Sequence, residues 1–254
     1  MPVLDEGCRT EDKRTVLFDL DGTLLRLDVD EFLRHYMGRV GAYFSHVAPP
    51  EKLIRAIWTS TNAMIANLDS GVTNREAFAA SFEPLVGRSW QEMWPEFLDF
   101  YSKEFPKLRN LSKEDGVTSQ MLSRCLDSGW DVVLATNPIF PEIAITERLR
   151  WCNAHDIPWR FITHIDNMHF CKPNLQYYQE IVRLCGLDPY RCVMVGNDVQ
   201  EDMVAQSLGM KTYLVEGFVI DRGGGPEPDL RGSLGKIPQA IERLLPGQVK
   251  SEEE

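Results

Sequence analysis

One repeated unit constrains this chain more than any other feature. A short run of β-branched and apolar residues stops abruptly at polar residues, and a stretch of helical periodicity follows. Thr15–Leu20 is the first such run and stops at Asp-Gly-Thr. Asp131–Thr136, Phe161–Ile165, Cys192–Gly196 and Thr212–Val215 repeat it. Between them the spacing predicts four helices. One is capped by Ser112 and stopped by Gly129, and one lies around Ile143–Ala154. One is opened by Pro173 and closed by Gly186, and a short one over Glu201–Leu208 ends at Gly209. Strands alternating with helices specify an α/β fold with a parallel, doubly wound sheet. Ligands of such sheets bind beyond the C-terminal ends of the strands, so the residues that follow each strand should carry the chemistry.

A different kind of sequence separates the first strand from the second. From about residue 26 to 111 the apolar positions recur at steps of three and four: Leu33, Tyr36, Val40 and Phe44, then Leu53, Ile57, Met64 and Leu68. Thr73-x-x-Glu76 reads as a capping box ahead of Phe78, Phe82 and Leu85. Ser89-x-x-Glu92 reads as another ahead of Met93, Phe97 and Tyr101, with Pro95 an alternative start for that helix. No strand pattern interrupts the region. It is expected to form a helical domain over 26–111, inserted into an α/β core domain made of 1–25 and 112–254. Its aromatic residues Trp58, Phe78, Phe82, Trp90, Trp94 and Phe97 are expected in its core. Gly217–Pro228 reads as a loop, and residues 1–14 and the terminal Ser-Glu-Glu-Glu as polar tails.

The formal net charge of -11 excludes a basic nucleic-acid surface and a polybasic membrane contact. It does not exclude a small anionic substrate, because a lysine, a metal ion and backbone N–H groups can dominate the field inside a cleft. Every apolar run is shorter than a bilayer crossing, and the first residues lack the apolar stretch of a signal peptide, so a cytoplasmic location is expected. The six cysteines show no CxxC spacing and read as free thiols. The five histidines show no metal spacing; surface or structural roles are expected for His164, His169 and the nearby Asp166. Oligomeric state is open.

Asp19 and Asp21 follow the first strand, and Thr136 and Asn137 the second. Lys172 precedes a long helix, and Asn197, Asp198 and Asp202 follow the fourth strand. Carboxylates, a hydroxyl, an amide and one ammonium make a site for a metal and an anion rather than an apolar pocket. Two carboxylates held close repel unless a cation joins them or one is protonated. A hard divalent ion suits such oxygen donors, and Mg²⁺ suits them best because it favours few carboxylates, waters and phosphate oxygens. Gly22 lets the backbone turn closely around a ligand. An Asp carboxylate can attack phosphorus, and a neighbouring acid can protonate the leaving oxygen.

Four motifs in this order resemble those of the haloacid dehalogenase-like superfamily. They are FDLDGTL, VVLATN ending at Thr136 and Asn137, Lys172 within CKPN, and VMVGNDVQED. The set spans Val16 to Asp202 and is highly specific. The resemblance implies a Rossmann-like sheet of order 5-4-1-2-3 and a helical cap inserted after the first motif. It implies that Asp19 is the nucleophile and a metal ligand, and that Asp21 is the general acid/base with its carbonyl on Mg²⁺. Thr136, with Asn137, Gly22, Thr23 and Lys172, would bind the phosphoryl group; Lys172 would also steady Asp19. Asp198 would ligate Mg²⁺, with Asp202 in support. The fourth motif departs from the family pattern in reading Gly-Asn-Asp, which leaves the role of Asn197 open.

The expected activity is therefore hydrolysis of a small phosphorylated metabolite through an aspartyl-phosphate on Asp19. A sugar-phosphate mutase is a lower-ranked alternative, because the region where related mutases carry an extra acid/base, commonly His, offers Glu31, with His35 further on. Dehalogenation ranks lower still, since that branch lacks the second Asp. A catalytically silent binding protein is disfavoured by the complete motif set.

Overall fold

The computed structural model describes residues 13–113 and 116–246. The two expected tails and Cys8 lie largely or wholly outside these residues. Six strands form one all-parallel sheet: β1 (Thr15–Phe18), β2 (Asp131–Leu134), β3 (Phe161–Ile162), β4 (Cys192–Gly196), β5 (Lys211–Val215) and β6 (Leu230–Gly232). The order is β3-β2-β1-β4-β5-β6, which contains the expected order of five and adds a sixth strand. β1 and β4 are buried along their whole length, as strands covered on both faces must be. β6 escapes sequence reading because its Leu-Arg-Gly carries no apolar run and none of its residues is buried. β3 is shorter than expected.

The helices of this half are α5 (Val117–Asp127), α6 (Glu142–Trp151), α7 (Leu175–Cys185) and α8 (Ile237–Leu244). Two starts differ from expectation. Ser112 does not cap α5; its hydroxyl donates to the Arg109 carbonyl (2.7 Å) and closes the preceding turn, while Gly116 at φ +72° leads into the helix. Pro173 stands before α7 rather than in it, with a cis Lys172–Pro173 bond. Glu201–Leu208 reduces to a 3₁₀ turn over Met203–Leu208.

Between β1 and α5 lie α1 (Val29–Tyr43), α2 (Pro50–Ile65), α3 (Asn74–Val86), α4 (Trp90–Lys103) and a 3₁₀ turn over Phe105–Leu111. The Asp28 side chain caps α1 by accepting from Glu31 N–H (2.9 Å). Thr73 and Glu76 form the expected capping box. Ser89 makes no side-chain cap bond; instead Glu83 of α3 accepts from Trp90 N–H (2.8 Å) and satisfies the start of α4 from outside. The helical interior is aromatic. Phe44, Phe82, Phe97 and Phe100 pack with Tyr36, Tyr43 and Trp90, and the Tyr36 and Tyr101 hydroxyls bond to each other (2.7 Å). Trp58 departs from expectation at 41% exposure, and Leu85 is also exposed, its place taken by Val86.

The helical segment meets the sheet half beyond its two chain connections. Asn74 and Arg75 N–H groups, at the start of α3, donate to the Met168 and Ile165 carbonyls (2.8 and 3.0 Å). Asn174 Nδ2 reaches back to the Ile65 carbonyl (2.7 Å), and Arg75 pairs with Asp166 (2.8 Å). Asp166 thus ties the halves together, while His169 bonds the buried Glu180 (2.6 Å). The five described cysteines are free thiols. Among the described residues no helix is long and apolar enough to cross a membrane.

Candidate active site at the strand tips

β1 delivers Asp19, whose N–H donates to the Val195 carbonyl of β4 (2.8 Å). The chain then folds back: Thr23 and Leu25 N–H groups donate to the Leu20 carbonyl (3.2 and 2.8 Å), and Gly22 N–H to that of Leu25 (2.8 Å). Gly22 has φ +81°, and a Cβ there would fall 2.3 Å from Asn197 Nδ2, so torsion and space both require glycine. Asn197 Oδ1 accepts from the Thr23 hydroxyl (3.0 Å), and its Nδ2 donates to the Phe218 carbonyl (2.7 Å). The residue whose role was open in the sequence is a strut between the turn after β1 and the loop after β5. Gly22 and Thr23, expected at the phosphate, therefore present no unengaged N–H, and the Thr23 hydroxyl is already used.

Lys172 comes from the loop before α7 with a fully buried side chain. Its ammonium donates to Asp19 Oδ1 (2.9 Å) and Asp202 Oδ1 (2.6 Å). Burial opposes its charge, but Asp19 and Asp202 outweigh burial and hold its pKa well above the usual lysine range. Asp202 Oδ2 accepts from Asp198 N–H (3.0 Å), so both its oxygens are engaged inside the protein. Burial pushes the Asp202 carboxyl upward; Lys172 opposes this and Asp19 adds to it. As placed here, Asp202 fastens Lys172 and the turn after β4 rather than offering a free oxygen to a metal.

Thr136 ends the β2 segment, held by Tyr177 and Thr163 hydroxyls that donate to its carbonyl (2.9 and 2.7 Å). Asn137 Nδ2 donates to Glu201 Oε2 (3.1 Å), leaving Asn137 Oδ1 buried without a partner. Burial raises the Glu201 pKa. Asp198 Oδ1 accepts from Gln200 and Glu201 N–H groups (3.0 Å each), and Arg222 forks onto both Asp198 oxygens (2.9 and 2.8 Å). Glu31 and His35 are exposed on α1.

Arg148 of α6, like Arg222, is a site residue that sequence reading missed. Its side chain is fully buried, its Nη1 bonds Asp21 Oδ2, its Nε donates to the Ala144 carbonyl (3.3 Å), and its guanidinium lies 4.4 Å from the Phe140 ring centre. Its Nη2 and Asp21 Oδ1 are both buried without partners. The signal was present: Ala144, Ile145, Arg148 and Leu149 share one helix face, and a charged residue on an apolar stripe requires a buried counter-charge. Burial raises the Asp21 pKa, Arg148 opposes it, and Asp19 adds repulsion.

Asp19, Asp21, Asp198, Asp202 and Glu201 thus face Lys172, Arg148 and Arg222, a formal excess of two negative charges. That excess and the all-oxygen donor set fit one divalent cation. Among the described residues no three His, Cys, Asp or Glu side chains form a metal cluster by themselves. Mg²⁺ does not need one, since it uses one or two carboxylates and keeps several waters.

A 51-residue stretch is 43% identical to glyceraldehyde 3-phosphate phosphatase of Methanothermobacter thermautotrophicus, covering 20% of this chain and 23% of that protein. The chain therefore spans less than a quarter of that relative's length. Over the whole fold, a haloacid dehalogenase-like phosphatase from Thermococcus onnurineus superposes with a TM-score of 0.57 at 19% identity, covering 90% of this chain and 97% of its own. An L-2-haloacid dehalogenase from Xanthobacter autotrophicus superposes with a TM-score of 0.54 at 15% identity, covering 91% and 98%. These two carry different chemistries, so the likeness speaks for the fold alone. Residues 13–209 match the pattern of the haloacid dehalogenase-like hydrolases, and the chain belongs to that family.

Proposed function

We propose that the protein is a Mg²⁺-dependent phosphatase that hydrolyses a small phosphate monoester through an aspartyl-phosphate on Asp19. The observation that carries this reading is the separate engagement of the two carboxylates of one turn. Asp19 is held by Lys172, and Asp21 by Arg148. The first suits a nucleophile whose charge is steadied in place; the second suits an acid/base.

In the proposed reaction an Asp19 oxygen attacks phosphorus and the bond to the leaving oxygen breaks. The protonated Asp21 carboxyl gives its proton to that oxygen. Asp21, now a carboxylate, takes a proton from the water that attacks the phosphorus of the acyl phosphate; inorganic phosphate leaves and Asp19 is regenerated. Lys172 offsets charge on the transferring group, and Thr136 positions it. Mg²⁺, held by Asp19, the Asp21 carbonyl and Asp198, would neutralise phosphoryl charge when bound.

The segment 26–111 is read as a cap over this site, the rest of the chain as the core domain. An apolar cavity of ≈ 60 Å³ lies where the two meet, lined in part by Tyr36, Tyr101, Ile139 and Phe140. Ile139 and Phe140 follow Asn137 after one intervening residue, Pro138, and this suits a substrate whose leaving group reaches toward the cap. Phosphate release from p-nitrophenyl phosphate should require Mg²⁺ and stop in excess chelator. Equal turnover with chelator would defeat the metal-dependent reading.

A further inference from the structure

The four motifs do not account for Arg222. After β5 the chain returns to the site and is braced against the turn that follows β4. Ile220 N–H donates to the Asn197 carbonyl and Val199 N–H to that of Ile220 (2.9 Å each). Arg222 N–H donates to Gln200 Oε1 (3.0 Å), and Gln200 Nε2 donates to Asp221 Oδ1 (3.1 Å). From this base the Arg222 side chain, 55% exposed, forks onto Asp198, 9% exposed. Nη1 donates to Oδ1 (2.9 Å) and Nη2 to Oδ2 (2.8 Å). With the Gln200 and Glu201 N–H groups, Asp198 Oδ1 accepts three hydrogen bonds, so it has no lone pair left for a metal.

We propose that Arg222 is a built-in counter-cation that competes with the divalent ion for Asp198, so that metal loading displaces its guanidinium. The proposal rests on the reading of Asp198 as a Mg²⁺ ligand. A bidentate fork occupies the same edge of the carboxylate that a metal approaches, and two cations on one carboxylate repel at short range. Asp198 would not collapse once Arg222 leaves, because the two backbone N–H groups still hold Oδ1. The exposure of Arg222 lets it move into solvent without unpacking the core. The alternative is that Arg222 stays and orients Asp198 for the metal, as outer partners of metal ligands do. The two arrangements predict opposite effects of removing it.

The test is calorimetric titration of MgCl₂ into the full-length wild type, Arg222→Ala and Arg222→Lys at low ionic strength. Arg55→Ala, an exposed site on α2, is the control for the same change in net charge. The expected result is roughly fivefold tighter Mg²⁺ binding in Arg222→Ala, the upper range for an ion pair whose cation is solvent-exposed. Arg222→Lys, which keeps charge but loses the fork, should fall between. Unchanged or weaker binding in Arg222→Ala overturns the proposal, as does equal tightening in Arg55→Ala, while leaving Asp198 as a ligand. No Mg²⁺ binding by wild type or variants removes the metal reading and this proposal with it.

Discussion

Around Asp19 the buried side chains are charged; around Phe100 they are aromatic. At the strand tips Lys172 and Arg148, both fully buried, face a cluster of carboxylates. In the helical segment Phe44, Phe82 and Phe100 are equally buried, and they pack on other rings. A buried ion pair adds little net stability, because desolvation offsets its attraction, whereas a buried ring contributes its full apolar area. The two regions therefore separate the proposed chemistry from the cohesion of the fold. The tips hold buried charges where that chemistry is proposed, and the helical interior supplies apolar burial.

The comparison breaks most visibly at its charged end. Asp19→Asn should lower turnover of p-nitrophenyl phosphate on the order of a millionfold, as loss of a nucleophile does, with little change in melting temperature. Near wild-type turnover would show that another group attacks phosphorus. At the aromatic end Phe100→Ala should destabilise the protein by about 3–5 kcal/mol in urea unfolding, with kcat per folded molecule unchanged. A large drop in kcat without loss of stability would erase the separation.

Arg148 stands between the two regions, since it pairs with Asp21 and packs on Phe140, which itself touches Tyr36 of α1. Arg148→Met should cut kcat on the order of a hundredfold by loosening the proposed acid/base, and Arg148→Lys should recover part of it. An unchanged kcat would make Arg148 a packing residue only. The smallest effect is expected away from both regions, at Asp229 beside β5. Burial works against its charge, but bonds from Lys211 and Thr212 outweigh burial and lower its pKa. Its folded-state pKa lies below the usual carboxylate value, so its contribution is complete above that value and is lost as pH falls through the lowered one. Asp229→Asn should lose about 1 kcal/mol at neutral pH, and the gap from wild type should close in strong acid. A gap that persists there would assign the effect to shape rather than charge.

The sheet was legible because each strand announces itself locally. Val16, Leu17 and Phe18, or Val193, Met194 and Val195, are apolar wherever the chain is covered on both faces, and polar residues mark where each strand stops. Lys172 stood out ahead of the helix that follows it, and the same rule brought Asp19, Thr136 and Asp198 under consideration before any geometry. It failed for β6, where an edge strand needs no apolar pattern, and for the start of α4, where Glu83 of another helix replaces the expected Ser89 cap. It is silent on side-chain partners: Thr23 bonds Asn197, and Asp202 bonds Lys172.

The order of strands and helices, the residues at the strand tips and the helical insertion follow from the chain alone. They depend on periodicity and on neighbours a few positions apart, which a sequence records directly. The pairing of charges does not. Arg148 meets Asp21 across 127 positions, and Arg222 meets Asp198 across 24. Which ammonium or guanidinium reaches which carboxylate depends on how separate elements pack, because burial lets each charge persist only beside a partner that the fold brings to it.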